Sequence, residues 1–176
     1  MRPRHIVASG VLIAMLGTVA ANLSLGTIEE FEGYAPVAYK DSGGIETACF
    51  GNIHDVIPGH EYTFDECVAA LNEEVEDKVE EIFTCVPELI AQSPETQAAM
   101  ISLAYNIGTT AFCKSSIADL ARKNSWARSC KRISETYQYV GNKKIPGLTN
   151  RRKQESELCA KGLKGERNLE AYFCGL

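Results

Sequence analysis

From Ile6 to Ile28 the chain runs for 23 residues without a charge, and the run ends at Glu29, Glu30 and Glu32. As one helix it reaches about 34 Å, against roughly 30 Å of bilayer hydrocarbon, so it is long enough to span. Arg2 and Arg4 precede it. A basic N-terminal flank keeps that end in the cytoplasm and sends the remainder across. The run is weakly apolar, however. Ser9, Gly10, Gly17, Thr18, Asn22, Ser24, Gly26 and Thr27 dilute it and lower the cost of leaving lipid. Three forms compete: a signal peptide cut near Thr18-Val19-Ala20, a permanent anchor, and an uncleaved signal anchor that later slips out of the membrane. All three require export.

Cysteine usage agrees with export. All seven cysteines (49, 67, 85, 113, 130, 159 and 174) follow the apolar run. Such density points to an oxidising compartment and to disulfides. The odd number leaves at least one outside an intramolecular pair, and the connectivity is open. No C-x-x-C pair occurs, and the histidines are His5, His54 and His60, so neither a metal site nor a cofactor is expected.

The organisation is therefore 1–28 as a signal-anchor segment and 29–176 as one exported domain. That domain can bury a real core. With 45% hydrophobic residues and a net charge of −5, the chain is not disordered. Residues 29–88 hold 16 acids and 2 lysines, whereas residues 114–167 hold 14 basic residues and 5 acids. The asymmetry reads either as a surface for a polyanion or as two solvated faces that attract each other.

Residues 34–62 are rich in glycine and proline around Val37, Tyr39, Ile45, Thr47 and Phe50, and Asp41-Ser42-Gly43-Gly44 is a turn signal. A short hairpin is expected. Thr63 and Glu66 form a capping-box pattern before a helix through residue 84. Ser93-Pro94 opens a second helix, apolar nearly all round, that stops at Gly108. Further helices are expected at 116–123, 125–138 and 148–161, with a loop from Gly141 to Gly147.

Glu32, Asp41 and Thr47 are the informative chemical cluster. They come from a helix end, a hairpin turn and the return strand. Two carboxylates and a hydroxyl converging there suit glycosidic hydrolysis, which needs an acid for the leaving oxygen and a carboxylate to handle water or the sugar cation. With 23 acids in the chain, the pairing is weak by itself.

A resemblance strengthens it. Phe31-Glu32-Gly33, Ala38-Tyr39-Lys40-Asp41-Ser42-Gly43-Gly44-Ile45-Glu46-Thr47 and Phe50-Gly51-Asn52 resemble the active-site region of phage-type lysozymes, or endolysins. The pattern there is Glu, eight residues, Asp or Cys, five residues, Thr. Tyr105-Asn106-Ile107-Gly108, the stretch from Thr110 to Ser116, and Gly147-Leu148-Thr149-Asn150-Arg151-Arg152-Lys153-Gln154-Glu155 resemble three later motifs of that family, in the same order. The weak apolar run resembles that of the signal-arrest-release endolysins of lambdoid-type phages.

The resemblance implies an α+β, lysozyme-like fold: a small β-hairpin lobe and a larger helical lobe around a cleft, preceded by an N-terminal apolar helix. It implies a muramidase that hydrolyses β-1,4 bonds between N-acetylmuramic acid and N-acetylglucosamine and lyses the host. Glu32 is the expected general acid. Asp41 and Thr47 hold a water for an inverting reaction, and Tyr39, Asn106 and Arg151 support the site, Arg151 (or Arg152) by pairing with the catalytic glutamate. No cofactor is implied. The expected partners are peptidoglycan and, through residues 6–28, the host export machinery and inner membrane. The released protein is expected to be a periplasmic monomer that binds no nucleic acid.

Departures and rivals are equally definite. The family often has T-x-G-x-G-H, where this chain has Thr47-Ala48-Cys49-Phe50-Gly51-Asn52. Cys49 thus replaces a glycine beside the site, as a structural bond or as a redox lock. Trp126 and Tyr105 are read as core, and Arg151-Arg152-Lys153 otherwise as a solvated helix face. The alternatives are a lytic transglycosylase on the same bond and a decayed peptidoglycan-binding protein.

Overall fold

A computed structural model describes residues 6–41 and 43–163. Arg2, Arg4, Ser42 and Cys174 lie outside the described residues. The chain divides into two compact units, Met1–Asp77 and Lys78–Leu176.

The first unit opens with the uncharged run, and the run is two helices rather than one. α1 (Gly10–Leu16) and α2 (Thr18–Glu32) are bent by 112°. The break is Gly17, whose φ of 79° is a left-handed value that glycine adopts without a β-carbon penalty. Among the described residues no single helix is long and apolar enough to cross a membrane, although the bent pair qualifies by length and composition. Leu12, Leu25 and Ile28 are fully buried.

Polar atoms in the run are satisfied. Ser9 caps α1 by accepting from the Leu12 N–H at 2.9 Å. The Ala8 N–H donates to Asn22 Oδ1 at 3.2 Å. Asn72, itself buried, accepts from the Ser9 N–H at 2.7 Å and donates to the Val7 carbonyl at 3.2 Å. The Ser9 hydroxyl also donates to the Glu76 carboxylate.

After α2, β1 (Ala35–Lys40) and β2 (Glu46–Cys49) form the expected antiparallel hairpin. Tyr39 lies opposite Thr47 and Lys40 opposite Glu46, with a register shift between Ala35 and Tyr39. Tyr34, Phe50 and Phe64 close an aromatic cluster with ring centroids 5.5–6.2 Å apart. α3 (Phe64–Cys85) starts at the predicted capping box. The Thr63 N–H donates to Glu66 Oε2 at 2.7 Å, and the Glu66 N–H donates back to Thr63 Oγ1 at 3.2 Å. The Thr63 hydroxyl and N–H hold the Glu66 carboxyl below the usual glutamate range.

The second unit is helical. A 3-10 turn (Pro87–Ala91) leads to α4 (Pro94–Ile107), capped by Ser93, whose hydroxyl accepts from the Thr96 N–H at 3.3 Å. α4 ends at Gly108, where φ is 84°. α5 (Thr109–Cys113), α6 (Ser116–Arg122) and α7 (Trp126–Ile133) follow. α7 stops five residues short of the expected 138. In place of the expected loop, β3 (Tyr139–Val140) and β4 (Lys143–Lys144) make a small hairpin. α8 (Pro146–Gly162) begins at a proline in its first turn, two residues earlier than expected.

α4 packs on α8, and α6 and α8 flank α7. Trp126 is buried as expected, but Tyr105 is only half-buried, beneath Lys78 Nζ at 5.2 Å from its ring. The connectivity left open by sequence is Cys49–Cys67 in the first unit, with Cys85–Cys113 and Cys130–Cys159 in the second.

α4 and α8 approach closely at Gly162. A β-carbon built there would collide with Ser93 Oγ and stand 3.0 Å from the Thr96 backbone nitrogen. Thr96 Oγ1 also donates to the Cys159 carbonyl at 3.2 Å. We predict that Gly162→Ala destabilises the protein by about 1–3 kcal/mol, the usual cost of overpacking. Urea unfolding should show a lower midpoint with an unchanged slope.

Candidate active site

The sequence-predicted residues fall into two groups. Glu32, Tyr39, Asp41 and Thr47 all belong to the first unit, while Asn106 and Arg151 belong to the second.

Glu32 is the last residue of α2 and is half-buried. Gly33 ends the helix with φ 73°, its N–H donating to the Glu29 carbonyl at 3.1 Å. The turn then delivers the chain into β1. Beyond β2 the backbone folds back tightly. Ala48 and Asn52 exchange two N–H···O bonds, both 2.9 Å. Within that loop Gly51 has φ 91° and faces Glu32: a β-carbon there would lie 3.6 Å from Glu32 Oε2. The helix end and the hairpin's exit loop are thus in contact.

Asp41 and Thr47 are organised around one residue, Ile45. Asp41 Oδ1 accepts from the Ile45 N–H and the Gly43 N–H, each at 2.8 Å. The Ile45 carbonyl accepts from the Asp41 N–H at 2.9 Å and from the Thr47 hydroxyl at 3.1 Å. Two backbone amides therefore hold the Asp41 carboxylate in orientation through one of its oxygens. The Thr47 hydroxyl has spent its proton on Ile45, so its lone pairs can accept. Thr47 is buried, whereas Tyr39, directly across the strand pair and on the same side of the sheet, is 47% exposed.

The Arg151-Arg152-Lys153 run is not simply a solvated face: Arg151 is 5% exposed and Arg152 is fully buried, as is Glu155. Glu155 Oε1 accepts from Ser102 Oγ at 2.7 Å, Arg151 Nε at 3.0 Å and Arg152 Nη2 at 3.0 Å. Arg152 Nε lies 2.8 Å from Glu155 Oε2. Arg151 Nη2 also donates to the Ser102 carbonyl at 3.2 Å. Asn106 is exposed and accepts from Arg152 Nη2 at 3.1 Å. Burial pushes the Glu155 carboxyl up, against the opposing pull of Arg152 and then Arg151. The sequence signal was present: arginines three and four residues before a glutamate share a helix face.

Carboxylates at a helix end and a hairpin turn are groups of the kind that glycosidic hydrolysis uses. Comparison with known proteins agrees. The phage lysozyme family profile matches residues 29–155, and the chain belongs to that family. It is 32% identical to the SAR-endolysin of enterobacteria phage P21, over 74% of this chain and 78% of that protein. It is 30% identical to the SAR-endolysin of bacteriophage PS119, over 88% of this chain and 94% of that protein. The endolysin from Escherichia coli O157:H7 phage FAHEc1 superposes with a TM-score of 0.69 at 28% identity, covering 78% of this chain and 90% of that one. The chain is accordingly a lytic glycoside hydrolase, an endolysin acting on peptidoglycan.

The buried cluster makes its own prediction. Glu155→Gln removes a buried carboxylate that pairs with two guanidinium groups in the interior. It should cost about 3–5 kcal/mol. Chemical denaturation of the variant should show a loss of that size, whereas the exposed-pair control Glu157→Gln should change stability by less than about 0.5 kcal/mol.

Proposed function

We propose that this endolysin cleaves the β-1,4 bond between N-acetylmuramic acid and N-acetylglucosamine with inversion, using Glu32 as general acid. The observation that carries this reading is the convergence in one unit of the helix-end carboxylate with a hairpin whose Asp41 and Thr47 side chains grip opposite ends of Ile45. In the reaction Glu32 gives its proton to the departing glycosidic oxygen. Positive charge grows on the sugar ring as the bond lengthens. Asp41, immobilised by two amides, accepts a proton from water through its other oxygen. Thr47 accepts the second hydrogen of that water, orienting it toward the anomeric carbon from the face opposite the leaving group. The exposed ring of Tyr39 provides a stacking surface for a sugar beside this water.

The apolar run is proposed to enter the inner membrane with its N-terminus cytoplasmic, through the host export machinery, and to leave it intact. The released enzyme is then a periplasmic monomer. Supporting this reading are the dilution of the run by small and polar residues, the bend at Gly17, and the hydrogen bonds that Asn22 and Asn72 offer to residues 7–9.

Two experiments test these readings. Purified peptidoglycan digested by the oxidised protein should yield muropeptides that have gained water. Glu32→Gln should lower the rate roughly 10²–10⁴-fold, the range expected for a lost general acid. Proton NMR of the first-formed reducing end should show the α-anomer; a β-anomer would mean retention, and anhydro-sugar products would mean a transglycosylase. For the membrane segment, replacing Gly10, Gly17 and Asn22 with leucine should hold the full-length chain in the inner membrane, while the parent appears unprocessed in soluble periplasm after depolarisation. A shortened periplasmic parent would instead indicate signal cleavage.

A further inference from the structure

Cys49 occupies a backbone position suited to glycine. Its φ is 60°, a left-handed value that a residue with a β-carbon seldom adopts. It ends β2 two residues beyond Thr47 and opens the loop that carries Gly51 to Glu32. Its sulfur is bonded to Cys67 in the first turn of α3, with the two Cα atoms 5.0 Å apart. Both cysteines are buried, at 4% and 0% exposure. The neighbouring Phe50 is set between Tyr34 and Phe64. The loop against Glu32 therefore has a left-handed entry at Cys49, a left-handed exit at Gly51, and a covalent tie to α3 at the entry. Without that tie, Cys49 is the residue with most to gain by relaxing to a right-handed or extended backbone. Such relaxation would carry Gly51 away from the Glu32 carboxylate.

We propose that the Cys49–Cys67 disulfide is a positioning device for Glu32. It holds the 48–52 loop in its left-handed turn, and its formation after export brings the site to working geometry. Two thiols lose two protons and two electrons, one S–S bond forms between Cys49 and Cys67, and a disulfide-bearing oxidant takes up the electrons and becomes a dithiol. In a reducing compartment the bond is absent and the loop is untied. The enzyme is then held back by the compartment's redox state as well as by its location. This inference rests on the reading of Glu32 as general acid, and it uses Cys49 as a brace that favours activity rather than as a lock that blocks it.

The test uses the full chain and three proteins: the parent, Cys49→Ala/Cys67→Ala, and Cys49→Gly/Cys67→Ala. Each is assayed on purified peptidoglycan with and without a thiol reductant, and each is labelled with 15N-glycine to follow the Gly51 amide. The alanine pair should lose about tenfold in kcat with KM little changed, the population penalty of a β-carbon in a left-handed backbone. The glycine pair, which accepts that backbone without a tie, should recover to within about threefold of the oxidised parent and ignore reductant. The Gly51 resonance should move in the alanine pair and in the reduced parent, and return in the glycine pair. If the alanine pair fails to fold, the reduced parent against the glycine pair decides the matter. Equal inhibition of the parent and the glycine pair by reductant would overturn the proposal, since the two disulfides of the helical unit would then be responsible. So would an unmoved Gly51 resonance with full activity in the alanine pair. An oxidised parent that cleaves no peptidoglycan would sink the Glu32 reading instead, and the Gly51 resonance would still decide whether the disulfide sets the loop.

Discussion

A carboxylate with no access to water, Glu155, decides how the helical unit is assembled. It sits on α8 with Arg151 and Arg152 and reaches Ser102 on α4. Bringing three charges out of water costs several kcal/mol per ion, and only close, multiply bonded geometry offsets it. Each Glu155 oxygen has a guanidinium nitrogen within 3.0 Å. The arrangement tolerates little sliding between the helices, because a shift of one residue would strand a charge. Gly162 adds a steric limit near the other end of the same helix pair, and the Cys130–Cys159 bond ties α7 to α8. Apolar packing alone would leave α4 freer, since its buried face spans residues all around the helix.

The hairpin unit is held by different means. Its strands are short, six and four residues, and a two-stranded ribbon is marginal in isolation. Backbone turns and a covalent bond fasten the ribbon to the rest of its unit. Asp41 closes the hairpin turn with two amide bonds, Gly33 redirects the chain out of α2, and the Cys49–Cys67 bond fastens the far end of β2. The residues that shape the turns also carry the proposed chemistry. Asp41 spends one carboxylate oxygen on the turn and keeps the other for the role proposed for it.

Much of this was legible in the sequence. Capping residues announced α3 and α4 because Thr63, Glu66 and Ser93 act through local hydrogen bonds that need no partner element. The hairpin was legible from its turn residues, whereas Glu32, Asp41 and Thr47 were singled out by a resemblance, and their roles are proposed. The features missed depend on neighbours remote in sequence. A run of arginines looks solvated until Ser102, some fifty residues earlier, is seen to share their glutamate. The uncharged run looked like one helix because hydropathy does not register the sign of φ at Gly17. Disulfide pairing was open because seven cysteines at wide spacing carry no pairing code. The glycine-to-cysteine departure at Cys49 was visible, but its meaning required the backbone angle.

The composition of the N-terminal run suits the two environments that the proposed release requires. A segment selected only for lipid would be uniformly apolar and would have no use for Ser9 or Asn22. In the folded unit Ser9 bonds to Asn72 and Glu76 outside the run, and Asn22 accepts from the Ala8 N–H across the bend, contacts that one straight helix in lipid would lack. Ser24 and Thr27 send their hydroxyls back to carbonyls one turn earlier, so they are satisfied in either environment. Leu12, Leu25 and Ile28 are buried in the fold, while Val7, Val11 and Val19 remain more than half exposed. Under the proposed release, the first group gains burial against protein and the second gives up burial in lipid without replacement. At roughly 25 cal/mol per Å² of apolar surface, only a run with few large exposed side chains can make that exchange close to even. On the proposed release, the small residues at its exposed positions are therefore a physical condition for leaving the membrane, and the polar ones supply bonds that favour staying out.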